Sequence, residues 1–148
     1  MFFRGCVLVY RRILVTTDGS DGSLDAVDHA RVLAEKFDAE LYILYVVDVS
    51  AGPQSISDVV VESLREIGFK VTKEIQEELE DEGIQADAFV EYGSPGETIL
   101  DFADERGVDL IIMSSHGRTG IDRFLLGSVT EKVIRNSKMP VLTVKYQD

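Results

Sequence analysis

Apolar residues fall along this chain in two patterns, short continuous runs and longer stretches where they return every three or four positions. The first run, Arg12-Ile13-Leu14-Val15-Thr16-Thr17, is β-branched and ends in the turn formers Asp18-Gly19-Ser20-Asp21-Gly22-Ser23, as a buried strand and its exit loop would. Leu24, Val27, Ala30, Leu33, Ala34 and Phe37 then recur at helical spacing, with Ser20 or Ser23 as the N-cap. A second strand is expected over Leu41 to Val47. Beyond Gly52-Pro53, the positions Val60, Leu64, Ile67, Val71, Ile75 and Leu79 draw one apolar stripe along an acidic helix that stops at Gly83. Ala86 to Glu91 reads as a third strand. Ser94-Pro95-Gly96-Glu97 is a capping box with proline at the first helical position, opening a helix that runs to Arg106 or Gly107. Val108 to Met113 is the fourth strand, and Ser128-Val129-Thr130-Glu131 is a second capping box whose helix turns Val133 and Ile134 inward. Pro140 to Val144 is the last strand.

Strict alternation of strands and helices predicts a single-domain α/β fold, a three-layer α/β/α sandwich around a mainly parallel five-stranded sheet. Continuous apolarity of several strands fits burial on both faces. Ligands in such sheets sit beyond the carboxyl ends of the strands, where strand order reverses. The loops after strands one and four would meet there, and both are rich in glycine and hydroxyls. Because the first strand pattern begins only at Arg12, residues 1–11 read as an N-terminal extension to a domain over 12–148; an added edge strand or dimer contact is the other reading of the first eight residues. Met1 to Tyr10 is too short to span a membrane, carries Arg4 and Gly5, and lacks a small-residue cleavage site.

One cysteine and two histidines in 148 residues give no internal disulfide and no zinc set, so an intracellular, cytoplasmic, metal-independent fold is expected. The net charge of −12 is unevenly placed. Residues 1–54 carry 8 acids and 5 bases, residues 55–110 carry 16 and 4, and residues 111–148 carry 3 and 6. The acidity thus belongs to the middle helices, first as a solvated face and second as an adaptation to high salt. A polyanion such as DNA would be repelled by most of this surface.

The locally basic segment holds the most informative stretch, Met113-Ser114-Ser115-His116-Gly117-Arg118-Thr119-Gly120, followed by Leu125-Leu126-Gly127-Ser128-Val129-Thr130-Glu131. It reads as a strand opening into a glycine loop that closes on a helix start, where orphan N–H groups and the helix dipole stabilise an anion. Gly117 and Gly127 either let the backbone approach phosphate or take positive φ, or serve turns alone. Ser128 is either the N-cap or a phosphate ligand. Arg118 is the side-chain partner for phosphate, Arg123 a solvated loop charge and His116 a turn residue. Asp18 would bond a ribose hydroxyl or an adenine amino group, hold a metal-bound water, or shape its loop as an Asx-turn; Asp48 would serve a ribose in the same way. No Gly-x-Ser-x-Gly, dinucleotide fingerprint or Gly-x-x-x-x-Gly-Lys-Ser/Thr loop occurs, and no nucleophile with its base is visible.

From Arg12 to Lys145 the chain resembles the universal stress protein family. Its ATP-binding members carry a glycine, two residues, a glycine, nine residues, then Gly-Ser or Gly-Thr. Aligned on Gly117 and the nine residues Arg118 to Leu126, this motif ends at Gly127-Ser128, and Val129 and Thr130 continue the match. Ser114 stands where the motif has its first glycine, and Thr16 where many members have proline before Thr-Asp. Serine blocks binding only if that position needs positive φ or meets the ligand through its Cα, and Thr16 alters the floor under an adenine. The resemblance implies a Rossmann-like fold of the adenine nucleotide alpha hydrolase type. It implies that Thr16, Thr17, Asp18 and Val46 line the adenosine side, that Met113, Ser114 and Gly117 border ribose and phosphates, and that Arg118, Gly127, Ser128 and Val129 take the phosphate tail. It also implies a homodimer paired through the final strand, Val141 to Val144, an apolar edge otherwise prone to aggregation. The function expected is a stress-response module that binds ATP, ADP or AMP, with Mg²⁺ on the phosphates, and is read by a protein partner. The rivals are a slow Mg-dependent ATPase and a dimeric scaffold that binds no nucleotide. A phospho-acceptor receiver domain would need an acidic pair ending strand one and an aspartate ending strand three, and Thr16-Thr17-Asp18 and Tyr92-Gly93 supply neither.

Overall fold

The computed structural model describes residues 9–51, 57–116 and 125–146. In chain order the elements are β1 (Arg12–Thr16), α1 (Asp21–Phe37), β2 (Glu40–Asp48), α2 (Asp58–Asp81), β3 (Ala86–Gly93), α3 (Pro95–Glu105), β4 (Leu110–Ser114), α4 (Ser128–Asn136) and β5 (Val141–Val144). The five strands form one sheet in the order β3-β2-β1-β4-β5, and every pairing is parallel. β1 is therefore central, and strand order reverses between β1 and β4.

Side chains alternate across a strand, so each apolar run feeds two cores. Ile13, Val15, Leu41, Ile43, Leu110 and Ile112 pack with Ala26, Ala30, Ile75 and Leu79 of α1 and α2 on one face. Leu14, Tyr42, Leu44, Ile111 and Met113 pack with Ile99, Phe102 and Val133 of α3 and α4 on the other. Burial on both faces is why β1 and β4 read as unbroken apolar runs.

Element ends depart from the sequence pattern where hydrogen bonds decide them. β3 runs two residues past Glu91, because Tyr92 and Gly93 stay in register with Val47 and Asp48 of β2. β4 starts at Leu110 rather than Val108: Val108 N–H still closes α3 on Ala103 O, and Asp109 turns its carboxylate to the N–H groups of Arg11 and Arg12 at 2.9 and 3.0 Å. The α2 stripe is buried only in its second half. Ile75 and Leu79 are covered, whereas Val60 and Ile67 are 48% and 44% exposed. The buried line of this helix runs through Gly68, Thr72, Ile75 and Leu79, so Ile67 sits one position round the helix, off the face that meets the sheet. On α4, Val133 is buried as expected but Ile134 is 41% exposed, since a nine-residue helix at the sheet's margin shows the core a narrow stripe. Residues 1–8 lie outside the described residues; Tyr10 meets Phe37 edge-on at 5.1 Å between ring centroids. No helix among the described residues is long and apolar enough to cross a membrane.

Candidate functional site

A cavity of about 390 Å³ opens beyond the carboxyl ends of β1, β2 and β4, where strand order reverses. That volume falls in the range of small-molecule sites, roughly 300–1,000 Å³. Thr16, Thr17 and Asp18 line it from the end of β1, Val46 and Asp48 from β2, Met113 and Ser114 from β4, and Gly127, Ser128 and Val129 from the start of α4. Gly117 and Arg118 lie outside the described residues, as do Arg123, Gly52 and Pro53. Sequence reading missed the apolar wall of Pro95 and Ile99 from α3 and Leu64 from α2. The capping box at the end of β3 was the available signal, because a helix that starts there opens beside the same strand ends.

The β1–α1 loop is held by its own hydroxyls. Ser23 Oγ donates to Ser20 O at 2.9 Å, so at the 2.9 Å contact with Thr17 Oγ1 it is the threonine hydroxyl that donates. Thr17 Oγ1 also accepts the N–H of Gly19 at 3.1 Å. Ser20 rather than Ser23 caps α1, accepting the N–H of Ser23. Asp18 Oδ1 accepts the N–H of Ser20 at 2.9 Å, and Asp48 Oδ1 accepts that of Ser50 at the same distance. The Asx-turn is thus present at both aspartates, and it fixes two carboxylates on the cavity wall.

The other end of the cavity supplies donors. Gly127 N–H donates to Ser115 O at 2.8 Å, and Thr130 Oγ1 donates to Ser114 O at 2.8 Å, tying the exit of β4 to the first turn of α4. This shifts the cap by one residue from the sequence reading. Gly127 is the N-cap, Ser128 is already helical, and neither Ser128 nor Ser94 makes the side-chain bond that a capping box requires. At φ −60° Gly127 needs no left-handed conformation, which removes one of its two special readings and leaves close approach. Serine side chains cap α1 and α2, while α3 and α4 open without such a bond. Among the described residues nothing claims the N–H groups of Ser128, Val129 and Thr130. His116, read from sequence as a turn residue, also lines this end.

Of the two penalties that serine in the place of a motif glycine raises, the backbone one is absent at Ser114. Among the described residues Asp38 is the sole non-glycine with positive φ, so Ser114 has an ordinary backbone. Its side chain faces α1, where a Cβ built on Gly22 would come within 3.0 Å of Ser114 Oγ. Glycine at 22 therefore makes room for serine at 114.

The acidic side chains in the first turns of α3 and α4 are paired rather than turned on the cavity. Lys132 Nζ bonds Glu97 Oε1 at 2.8 Å across α3 and α4, and this charge-assisted bond holds the Glu97 carboxyl below the usual carboxylate range. Glu131 is engaged by Arg135 at 2.8 Å, one turn further along the helix. Among the described residues no group of three or more His, Cys, Asp and Glu side chains is gathered as a metal site.

Residues 9–145 match the universal stress protein family. The chain is 41% identical to the universal stress protein MJ0531 of Methanocaldococcus jannaschii, over 93% of this chain and 83% of that protein. It is similar to the solved structure of MJ0577 from the same organism, with 37% identity, a TM-score of 0.74 and coverage of 95% of this chain and 99% of the other. A universal stress protein solved in complex with cAMP is 30% identical, with a TM-score of 0.71, covering 93% and 98%.

Proposed function

The chain belongs to the universal stress protein family, and on that footing we propose that its cavity binds an adenine nucleotide, foremost ATP with Mg²⁺ on its phosphates. The observation that carries this reading is the uncapped start of α4, with three unclaimed N–H groups beside a cavity at the strand-order reversal. Those donors suit phosphate oxygens. The carboxylates of Asp18 and Asp48 suit the hydroxyl and amino donors of a nucleoside, and Val46, Ile99 and Met113 suit a base. The relative solved with cAMP supports the same ligand class. Three charge-assisted bonds at about 1.5–3 kcal/mol each are enough for micromolar binding, about −8 kcal/mol, once the apolar wall offsets the cost of association.

Among the described residues the one hydroxyl bonded to an imidazole is that of Ser115, 3.0 Å from His116 Nδ1, and it is buried and does not line the cavity, so the reading is a binding module rather than a hydrolase. Bound nucleotide would bias a loop conformation or a dimer formed through the edge strand β5, Val141–Val144, and a protein partner in the cytoplasm would read that state. The test is isothermal titration of nucleotide-stripped protein with Mg-ATP and AMP, with Gly127→Arg as the blocked control. Micromolar ATP binding that the control loses supports the proposal. No heat at millimolar ATP refutes it.

A further inference from the structure

The first half of α2 carries an apolar line that the sheet does not use. Gly68, Thr72, Ile75 and Leu79 are the residues this helix buries, whereas Val60, Leu64, Ile67 and Val71 recur at steps of four, three and four on a line turned away from them. Val60 and Ile67 are exposed, and Leu64 and Val71 are half-buried. Two contacts fix where the line faces. Gln76 Nε2 donates to Ala86 O of β3 at 2.9 Å, so Phe69, two turns earlier on the same side, looks over the β3 edge and Ile67 looks the opposite way. Glu82, three turns beyond Val71, meets Arg31 of α1 at 3.5 Å, so the line faces the α1 side. Arg31 is about 15 Å from the start of α1 and Glu82 about 17 Å from Val71, so α1 begins level with Val71 and stops short of Ile67, Leu64 and Val60.

Charge decides what can cover such a line. The whole chain carries −12, but residues 59–71 set Glu62 and Glu66 against Arg65 and Lys70 and are neutral, so a second copy meets no net repulsion here. Continued in both directions, the same spacing reaches Ser57, the N-cap of α2, at one end and Glu74 and Glu78 at the other. Two copies laid side by side in the same direction would set these glutamates against their own counterparts. Laid antiparallel about a two-fold axis between Arg65 and Glu66, the copies match throughout. Val60 meets Val71 of the second copy, Leu64 meets Ile67, and Glu74 comes beside Ser57, at the positive end of a helix. Independently of the nucleotide reading, we propose that this line is a self-association seam, on which the α2 helices of two copies pack antiparallel. Leu64 also lines the cavity, so the contact shares a side chain with the ligand site. Two heptads cover less than the roughly 800 Å² per partner of a standard interface, so the association is weak, in the micromolar range.

The test is sedimentation of the full chain from about 1 to 300 μM, for the wild type, Ile67→Glu and Phe69→Glu. The two substitutions put the same charge on opposite sides of one helix at exposed positions, so both proteins should fold and melt near the wild type. The wild type should reach at least twice the mass of Ile67→Glu, whatever state the β5 edge sets, and Phe69→Glu should match the wild type. In a Cys6→Ser background, Leu64→Cys mixed with Ile67→Cys should oxidise to a linked pair faster than either protein alone, since the register sets these two positions opposite each other. A wild type no heavier than Ile67→Glu would overturn the proposal and leave the line to a partner of another kind. An equal loss of mass in Phe69→Glu, or fastest linkage in either single protein, would overturn it as well.

Discussion

Replacing Gly68 by alanine sets two calculable effects against each other. Gly68 lies within α2 and is buried against the ring of Tyr45 on β2; a Cβ there would come within 2.5 Å of Tyr45 Cδ1 and 2.9 Å of Cγ. Carbon atoms rest about 3.5–4.0 Å apart, so helix and ring must separate by roughly 1 Å. The ring cannot swing out of the way, because Tyr45 is only 4% exposed and stands between the sheet and the helix. Overpacking of this kind costs about 1–3 kcal/mol, and the severity of the clash argues for the upper half. Alanine returns about 0.8–1 kcal/mol of helix propensity over glycine. The net expectation is a loss of about 1–2 kcal/mol, seen as a fall in Tm of about 2–8 °C at this chain length. Thermal and urea melts of Gly68→Ala would measure it, and Tyr45→Leu supplies the control background in which the clash is gone and alanine should stabilise. Because Tyr45 also lines the cavity, AMP affinity should fall with stability. A Gly68→Ala protein as stable as the wild type would refute the claim that the ring dictates glycine here.

Three further outcomes follow from the same geometry. Gly22→Ala should destabilise the wild type by roughly 1 kcal/mol but not the Ser114→Gly background, and additive effects in a double-mutant cycle would show that the 3.0 Å approach carries no energy. Thr130→Val leaves the buried Ser114 carbonyl without its donor and should cost about 1–3 kcal/mol in urea denaturation, with Thr130→Ser largely sparing it; equal losses would refute the assignment. Glu97 has its folded-state pKa lowered by Lys132, so its ion pair stabilises the fold at neutral pH and that contribution disappears as pH falls through the lowered value. The gap in Tm between the wild type and Glu97→Gln should therefore close on acidification below the usual carboxylate range, and a gap constant down to about pH 2 would contradict the linkage.

The sheet was legible because its strands are buried on both faces, so that Ile13-Leu14-Val15 and Leu110-Ile111-Ile112-Met113 announce themselves without any knowledge of what covers them. The α2 stripe was legible as a helix but not as a boundary. Spacing records which residues are apolar, yet the buried line of α2 runs through Gly68, Thr72, Ile75 and Leu79, one position round the helix from Ile67, with Val60 beyond its start. Ser94 and Ser128 sit in the right pattern for capping boxes, yet a pattern does not fix a hydroxyl's rotamer, nor foresee that Ser115 O would hold the N–H of Gly127 and move the helix start. The tolerance of Ser114 depends on Gly22, a residue far away in sequence whose approach only the folded chain reveals. His116 was read as a turn residue for the same reason, since a place on the cavity wall is decided by the fold and not by residue type.

The strand order β3-β2-β1-β4-β5 also sets a timetable for synthesis. The ribosome delivers the central strand first, and the chain can extend the sheet outward through β2 and β3 while everything from β4 onward is still unmade. The cavity lies on the seam between this early half and the late one, and its donor end is contributed by α4, among the last elements to emerge. A nascent chain can thus assemble three paired strands before the donors of α4 exist. Ligand capture would begin only when the final helix docks, so that occupancy of the seam would mark a finished molecule.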